Sequence, residues 1–219
     1  VIKRFDLRSQ KRLGQHFLLD LNLTGRIARA AGNLDTCTVI EVGPGPGGLT
    51  RALLDNGAKK VIAIESDPRC VKAIEELALN YNNRLKIIEC NAMKLNFTDL
   101  CDGPKKIIAN LPYNIATPLL IGWLRNINHF KSLTLMFQKE VADRLTASPG
   151  NKTYGRLSVL TQWLCHTKHE FDISRNAFTP PPKVDSALIT LMPRAMTFTK
   201  ADWNNLEKVT AAAFGQRRK

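Results

Sequence analysis

Acidic residues are scarce in this chain, long apolar runs are missing, and its cysteines and histidines do not pair up. Nineteen Asp and Glu face 32 Lys and Arg, for a net charge of +13 and a pI near 9.8. Such an imbalance disfavours basic partners and favours a polyanion, whose released counterions supply sequence-independent affinity. The longest apolar runs, such as Leu133–Phe137, are far too short to cross a bilayer, so no membrane partner is expected. Val1–Asp6 carries basic residues with no apolar stretch behind them, so no secretory signal is expected and a cytoplasmic protein is. The five cysteines, at 37, 70, 90, 101 and 165, lack close spacing and read as reduced thiols in or near a core. His166 and His169 have no third ligand nearby in sequence, so no metal site is expected. Internal repeats and low-complexity segments are absent.

What remains is a 44% hydrophobic, mixed-charge chain of a length suited to one α/β domain, or one domain with a small appendage. Basic residues crowd its two ends, at Lys3, Arg4, Arg8, Lys11 and Arg12 and again at Arg217–Lys219. Asp20 is placed to cap a helix with apolar positions Leu21, Ile27, Ala28 and Ala31, stopped by Gly32. Short apolar runs at 37–42, 60–65, 85–90, 105–110 and 131–138 then alternate with helical or polar segments. Pro68 suits the first turn of a helix reaching Tyr81, which Asp67 would cap. Strand–helix alternation of this kind implies a parallel sheet with helices on both faces. Helices are expected at 139–147 and 155–165. Two late strands, 168–173 and 185–192, are close enough in sequence to form a hairpin with an antiparallel strand. A last helix is expected from Thr199, with Asp202 as its capping partner.

Residues 41–50 read Glu-Val-Gly-Pro-Gly-Pro-Gly-Gly-Leu-Thr directly after an apolar strand. A turn with Gly43, Gly45 and Gly47 that opens a helix lets backbone approach a ligand closely, a pattern shared by several nucleotide-binding folds. Glu41 argues against a pyrophosphate at that helix start, because a carboxylate there repels the ligand's negative charge. A ligand with a sulfonium and an ammonium and no phosphate, such as S-adenosylmethionine, tolerates it. Glu65 ends the next strand, where a carboxylate can take both ribose hydroxyls. Asn91 is either a contact for the ligand's adenine edge or a plain turn residue.

Asn110-Leu111-Pro112-Tyr113 follows the fourth strand, at the end that faces the ligand crevice in such sheets. The pattern suits methylation of an exocyclic amine on a planar base. The Asn110 side-chain oxygen and the Leu111 carbonyl can each accept one N–H, Pro112 stiffens the peptide between them, and Tyr113 offers a face for stacking. Phe178, held before Pro180-Pro181-Pro182, is a candidate second face.

These pieces closely resemble the bacterial small-subunit ribosomal RNA adenine N6-dimethyltransferases. The resemblance runs through Leu13-Gly14-Gln15-His16-Phe17-Leu18, Glu41–Thr50, Asn110–Tyr113, Gln138–Val141, Tyr154–Val159 and Phe178–Ser186. It implies a Rossmann-like seven-stranded class I methyltransferase fold with one late antiparallel strand over 1–195, residues 1–32 forming a basic segment and helix. Residues 196–219 would begin a C-terminal helical domain that is largely missing. It implies S-adenosyl-L-methionine as cofactor, bound by Gln15, His16, Phe17, Leu18, Glu41, Gly43, Gly45, Gly47, Glu65, Ser66, Asn91, Ala92 and Asn110. Asn110, Leu111, Pro112, Tyr113 and Phe178 would handle the adenine. The implied reaction forms N6,N6-dimethyladenine at two adjacent adenines of a small-subunit rRNA hairpin, on the immature subunit, by a monomer. Position 91 departs from the family, which usually has Asp there. Two rivals share the fold, a large-subunit rRNA methyltransferase and a noncatalytic assembly or transcription factor; a dehydrogenase is a third.

Overall fold

The computed structural model describes residues 14–195 and 202–215, together with Arg4, Phe5, Leu7 and Ser9. Seven strands form the main sheet: β2 (Thr38–Val42), β3 (Lys60–Glu65), β4 (Leu85–Glu89), β5 (Lys105–Asn110), β6 (Ser132–Gln138), β7 (Cys165–Ile173) and β9 (Ser186–Pro193). Their spatial order is β4-β3-β2-β5-β6-β9-β7. β4, β3, β2, β5 and β6 are parallel, and β9 runs against both β6 and β7, which is the expected single antiparallel strand. Two further two-residue strands, β1 (Phe17–Leu18) and β8 (Phe178–Thr179), pair with each other away from this sheet.

The strands read as continuous apolar runs because both faces are covered. Along β2, β3 and β5 the side chains alternate between two cores. Ile40, Ile62 and Ile107 pack with Leu119, Leu120 and Trp123 of α4 (Tyr113–Arg125). Val39, Val61 and Ile108 pack on the opposite face with Ile27 and Ala28 of α1 (Leu21–Ala30) and Leu49 and Leu53 of α2 (Gly48–Asp55). Glu41 shares the parity of Val39 and so lies on the α2 side. α3 (Pro68–Ala78), α5 (Lys139–Thr146), α6 (Arg156–Leu164) and α7 (Trp203–Gly215) complete the described helices.

Local chemistry sets most boundaries as expected. Asp20 caps α1 by accepting the Asn22 and Leu23 N–H groups at 2.8 and 3.2 Å, and Asp67 caps α3 through Arg69 N–H at 3.1 Å. α3 stops at Ala78 rather than near Tyr81, and the chain turns through the left-handed Asn82 and Asn83, with φ of 45° and 60°. β7 begins three residues earlier than expected, because α6 passes into it without a loop. Thr199 lies outside the described residues. Asp202 itself accepts the Asn204 N–H at 3.2 Å at the start of α7. α4 was not anticipated as a helix from Tyr113, since Pro118 sits inside it without an N–H to give.

The strand order reverses between β2 and β5, whose carboxyl ends carry Glu41 and Asn110. A crevice opens at such a switch point because the connections on either side leave in opposite directions.

Candidate active site

That crevice is a cavity bordered by the β1 segment, the glycine turn and the ends of β3 and β5. Gln15, His16, Phe17, Leu18, Glu41, Gly43, Gly45, Glu65, Ser66, Asn91, Ala92, Asn110, Leu111, Pro112 and Tyr113 all line it, so nearly every residue singled out from the sequence converges there. Gly47 and Phe178 do not. Gly47 adopts φ +87° at the start of α2, with Leu77 filling the space where a side chain would go, 3.0 Å from an ideal Cβ. Its part is conformational. Phe178 is 3% exposed and packs in the core with Leu18, Met136, Ile173 and Leu188. The cause is the β1–β8 pairing, in which Leu18 stands opposite Phe178. Cys90, Asn114 and Ile115 line the cavity without having been anticipated; the only signal for them is adjacency to Asn91 and Tyr113.

The glycine turn is tied by Glu65 rather than by Glu41. Glu65 accepts Gly45 N–H on Oε2 at 3.1 Å, and Ser66 and Asp67 N–H on Oε1 at 2.7 and 2.9 Å. Burial raises its pKa, and these three backbone donors oppose that rise. A carboxylate offers about four lone-pair positions. With three in use, about one acceptor position of Glu65 remains. Glu41 is 1% exposed, and neither of its oxygens has a hydrogen-bond partner. Desolvation pushes its pKa up to about 8; the nearby Thr50 hydroxyl opposes the shift and the Glu65 charge adds to it.

Of the two readings left open for Asn91, the turn is seen directly and the adenine contact is a matter of position alone. Its Oδ1 accepts Met93 N–H at 2.9 Å in a local turn, and the residue also lines the cavity. Gln15 donates to Asp67 at 3.0 Å; Asp67 is held at a pKa of about 2, chiefly by the Arg69 guanidinium.

On the β5 side, Asn110 Nδ2 donates to the His16 carbonyl at 3.1 Å. That bond fixes the amide and leaves Oδ1 without a partner among the described residues. Tyr113 begins α4, and its hydroxyl shares a 2.6 Å hydrogen bond with Ser186 Oγ. The His16 ring lies 6.0 Å from the Tyr113 ring at 28°, and its Nδ1 donates to the Pro180 carbonyl at 2.8 Å. The proline loop thus reaches the site through backbone and through Ser186, not through Phe178.

Among the described residues the cavity lining contains two carboxylates and no lysine or arginine. Gly45 N–H, which a phosphate at this turn would need, is already bonded to Glu65. The residues therefore fit a cationic nucleoside and lack the counter-charge for a pyrophosphate. Among the described residues no group of His, Cys, Asp and Glu is arranged to hold a metal ion, and no helix is long and apolar enough to cross a membrane.

Sheet order, switch-point cavity and acidic lining together define a Rossmann-like class I methyltransferase, an S-adenosylmethionine-dependent enzyme. A model of the ribosomal RNA adenine dimethylase family matches residues 6–219, and the chain belongs to that family. The "Ribosomal RNA small subunit methyltransferase A" of Rhodospirillum rubrum is 58% identical over 219 residues, covering all of this chain and 76% of that protein. Among solved structures, a dimethyladenosine transferase from Plasmodium falciparum superposes with TM-score 0.83 at 33% identity, over 93% of this chain and 72% of that one. The 23S rRNA methyltransferase ErmE gives 0.73 at 30% identity, over 89% and 76%.

Proposed function

We propose that the protein dimethylates N6 of two neighbouring adenines in a hairpin loop of small-subunit rRNA, acting as a monomer on the immature subunit in the cytoplasm. The observation that carries this reading is the Asn110 amide, oriented by the His16 carbonyl so that its oxygen is free beside the acidic cavity. S-adenosylmethionine supplies an electrophilic methyl group on a positively charged sulfur. The chain's own residues do the rest by positioning.

An adenine amine is a weak nucleophile because its lone pair is delocalised into the ring. Asn110 Oδ1 and the Leu111 carbonyl accept its two N–H groups and favour the pyramidal nitrogen needed for attack. Being fixed dipoles, they need no reorganisation as positive charge develops on that nitrogen. Pro112 fixes the peptide between the two acceptors. Tyr113, held by Ser186, provides a stacking face. The proton leaves to water after transfer, so no strong base is required. Glu65 holds a ribose hydroxyl, Asn91 and Ala92 border the adenine, and Gln15, Phe17 and Leu18 close the cavity from above the glycine turn. For Phe178 to cover the second face of the base, its ring would have to leave the core. In the described arrangement it anchors the loop that carries Pro180.

We assign 1–195 to the methyltransferase domain and 196–219 to the start of a helical domain; α7, its described part, packs against α6. The likeness to ErmE supports a large-subunit rRNA target as a second reading, at 30% identity against 58% for the small-subunit relative.

Asn110→Ala tests the assignment. The variant is expected to lose turnover by at least about 100-fold, the scale seen when one preorganised dipole is removed. Cofactor affinity by calorimetry should fall by less than about threefold, because the acceptor serves the amine. Normal methylation by Asn110→Ala would remove the acceptor role.

A further inference from the structure

Glu41 is unlike the other acids around the cavity. Glu65 spends its oxygens on three backbone donors and Asp67 is met by Arg69 and Gln15. Among the described residues neither Glu41 oxygen completes a hydrogen bond, although the residue is buried in the cavity wall, and the one donor that bears on it is the Thr50 hydroxyl. From α2 it faces the Thr50 hydroxyl, itself buried and without a completed hydrogen bond. From the flanking strands it meets Ala63 of β3 and Ile108 of β5 in register. The charge that bears on it is the Glu65 carboxylate, which repels. A buried acid in these surroundings keeps its proton, and the shift to about 8 agrees with the geometry. A buried polar group with no partner asks for an explanation beyond the fold, since valine at this strand position would pack without that cost.

We propose that Glu41 is the cavity's charge selector, giving up its proton to solvent when a ligand bearing positive charge enters and pairing with that charge. This deepens the S-adenosylmethionine reading and rests on it. The step balances: the carboxylic acid becomes a carboxylate, the ligand keeps its charge, and one proton passes to the buffer. The cavity then holds a neutral acid when empty and an ion pair when filled, and avoids an isolated buried anion in either state. Affinity for a cationic ligand rises with pH through the neutral range, whereas affinity for an uncharged nucleoside does not.

Calorimetry in two buffers of different ionisation enthalpy reads the proton directly. S-adenosylmethionine carries a sulfonium and an ammonium, S-adenosylhomocysteine the ammonium alone, and methylthioadenosine neither. The wild-type chain is expected to release most of one proton with S-adenosylmethionine near pH 7, and little near pH 9.5. Release with S-adenosylhomocysteine as well assigns the partner as the ammonium, and its absence assigns the sulfonium; either outcome supports the selector. Methylthioadenosine should bind without release. Glu41→Gln should release none at pH 7 and bind S-adenosylmethionine at least about tenfold more weakly, which separates Glu41 from Glu65 in the same cavity. Because the wild-type arms need no variant, a misfolded Glu41→Gln does not spare the proposal. Buffer-independent heats for the wild type, or equal release with methylthioadenosine, overturn the selector and leave the function intact. Failure of S-adenosylmethionine to bind at all overturns both.

Discussion

Two glutamates 24 residues apart in the sequence end neighbouring strands, and their states differ because their donors differ. Glu65 sits where the positive φ of Gly45, +56°, turns an N–H toward it; Glu41 sits under α2 with no N–H in reach. The sequence made an acid at 41 conspicuous inside an apolar strand, but which acid would bind the turn depends on backbone direction, which residue type does not encode. A consequence follows for stability. The folded pKa of Glu41 is raised, so the fold holds a proton that the unfolded chain releases. Its contribution is fully present below the ordinary carboxylate value of 4.5 and is lost as pH rises toward about 8. The ligand-free wild type is therefore expected to lose melting temperature between pH 5 and pH 8 more steeply than Glu41→Gln. A difference in slope of at least about 5 °C over that interval corresponds to a few kcal/mol at this chain length. Parallel melting curves would mean that Glu41 is not protonated in the fold.

Among the elements, the strands of the parallel sheet were legible because full burial leaves continuous β-branched runs. The β1–β8 ladder was not, since two residues cannot show a period. That ladder decides two things at the site. It buries Phe178 against Leu18, and it brings Leu18 over the start of α2. An ideal Cβ on Gly48 would lie 2.7 Å from the Leu18 carbonyl oxygen, a backbone atom that cannot swing aside. Gly48→Ala should cost about 1–3 kcal/mol, the usual penalty for overpacking. Gly122, inside α4 with nothing within 4 Å of its Cβ position, provides the contrast. Gly122→Ala is expected to stabilise by roughly 0.5–1 kcal/mol through helix propensity. Urea midpoints for both variants check the pair, and equal effects would contradict the close approach of β1 to the glycine turn.

At the scale of the whole molecule, the charge distribution is divided. The excess of positive charge suits RNA, yet the cavity wall is acidic. One chain thus meets a polyanion on its surface and a cation in its crevice. The basic clusters at the two ends fall mostly outside the described residues; Arg4 is described and pairs with Glu76 of α3. Strand–helix alternation and the late hairpin were legible from period and spacing, whereas the sheet order that makes the switch point is set by packing that period does not encode. The motif Tyr154–Val159, prominent in sequence, serves architecture: buried Ser158 links Gly155 N–H to the Arg144 carbonyl and so joins α6 to α5. We propose that this frame presents an adenine amine to Asn110 and Leu111 opposite a cationic methyl donor. Mass spectrometry of nucleosides and fragments from immature small subunits, incubated with the protein and isotopically labelled S-adenosylmethionine, tests it most directly. Label in N6,N6-dimethyladenosine at two adjacent positions of one small-subunit hairpin is the expected result. Label on another atom, label confined to large-subunit RNA, or no label at all would contradict the account.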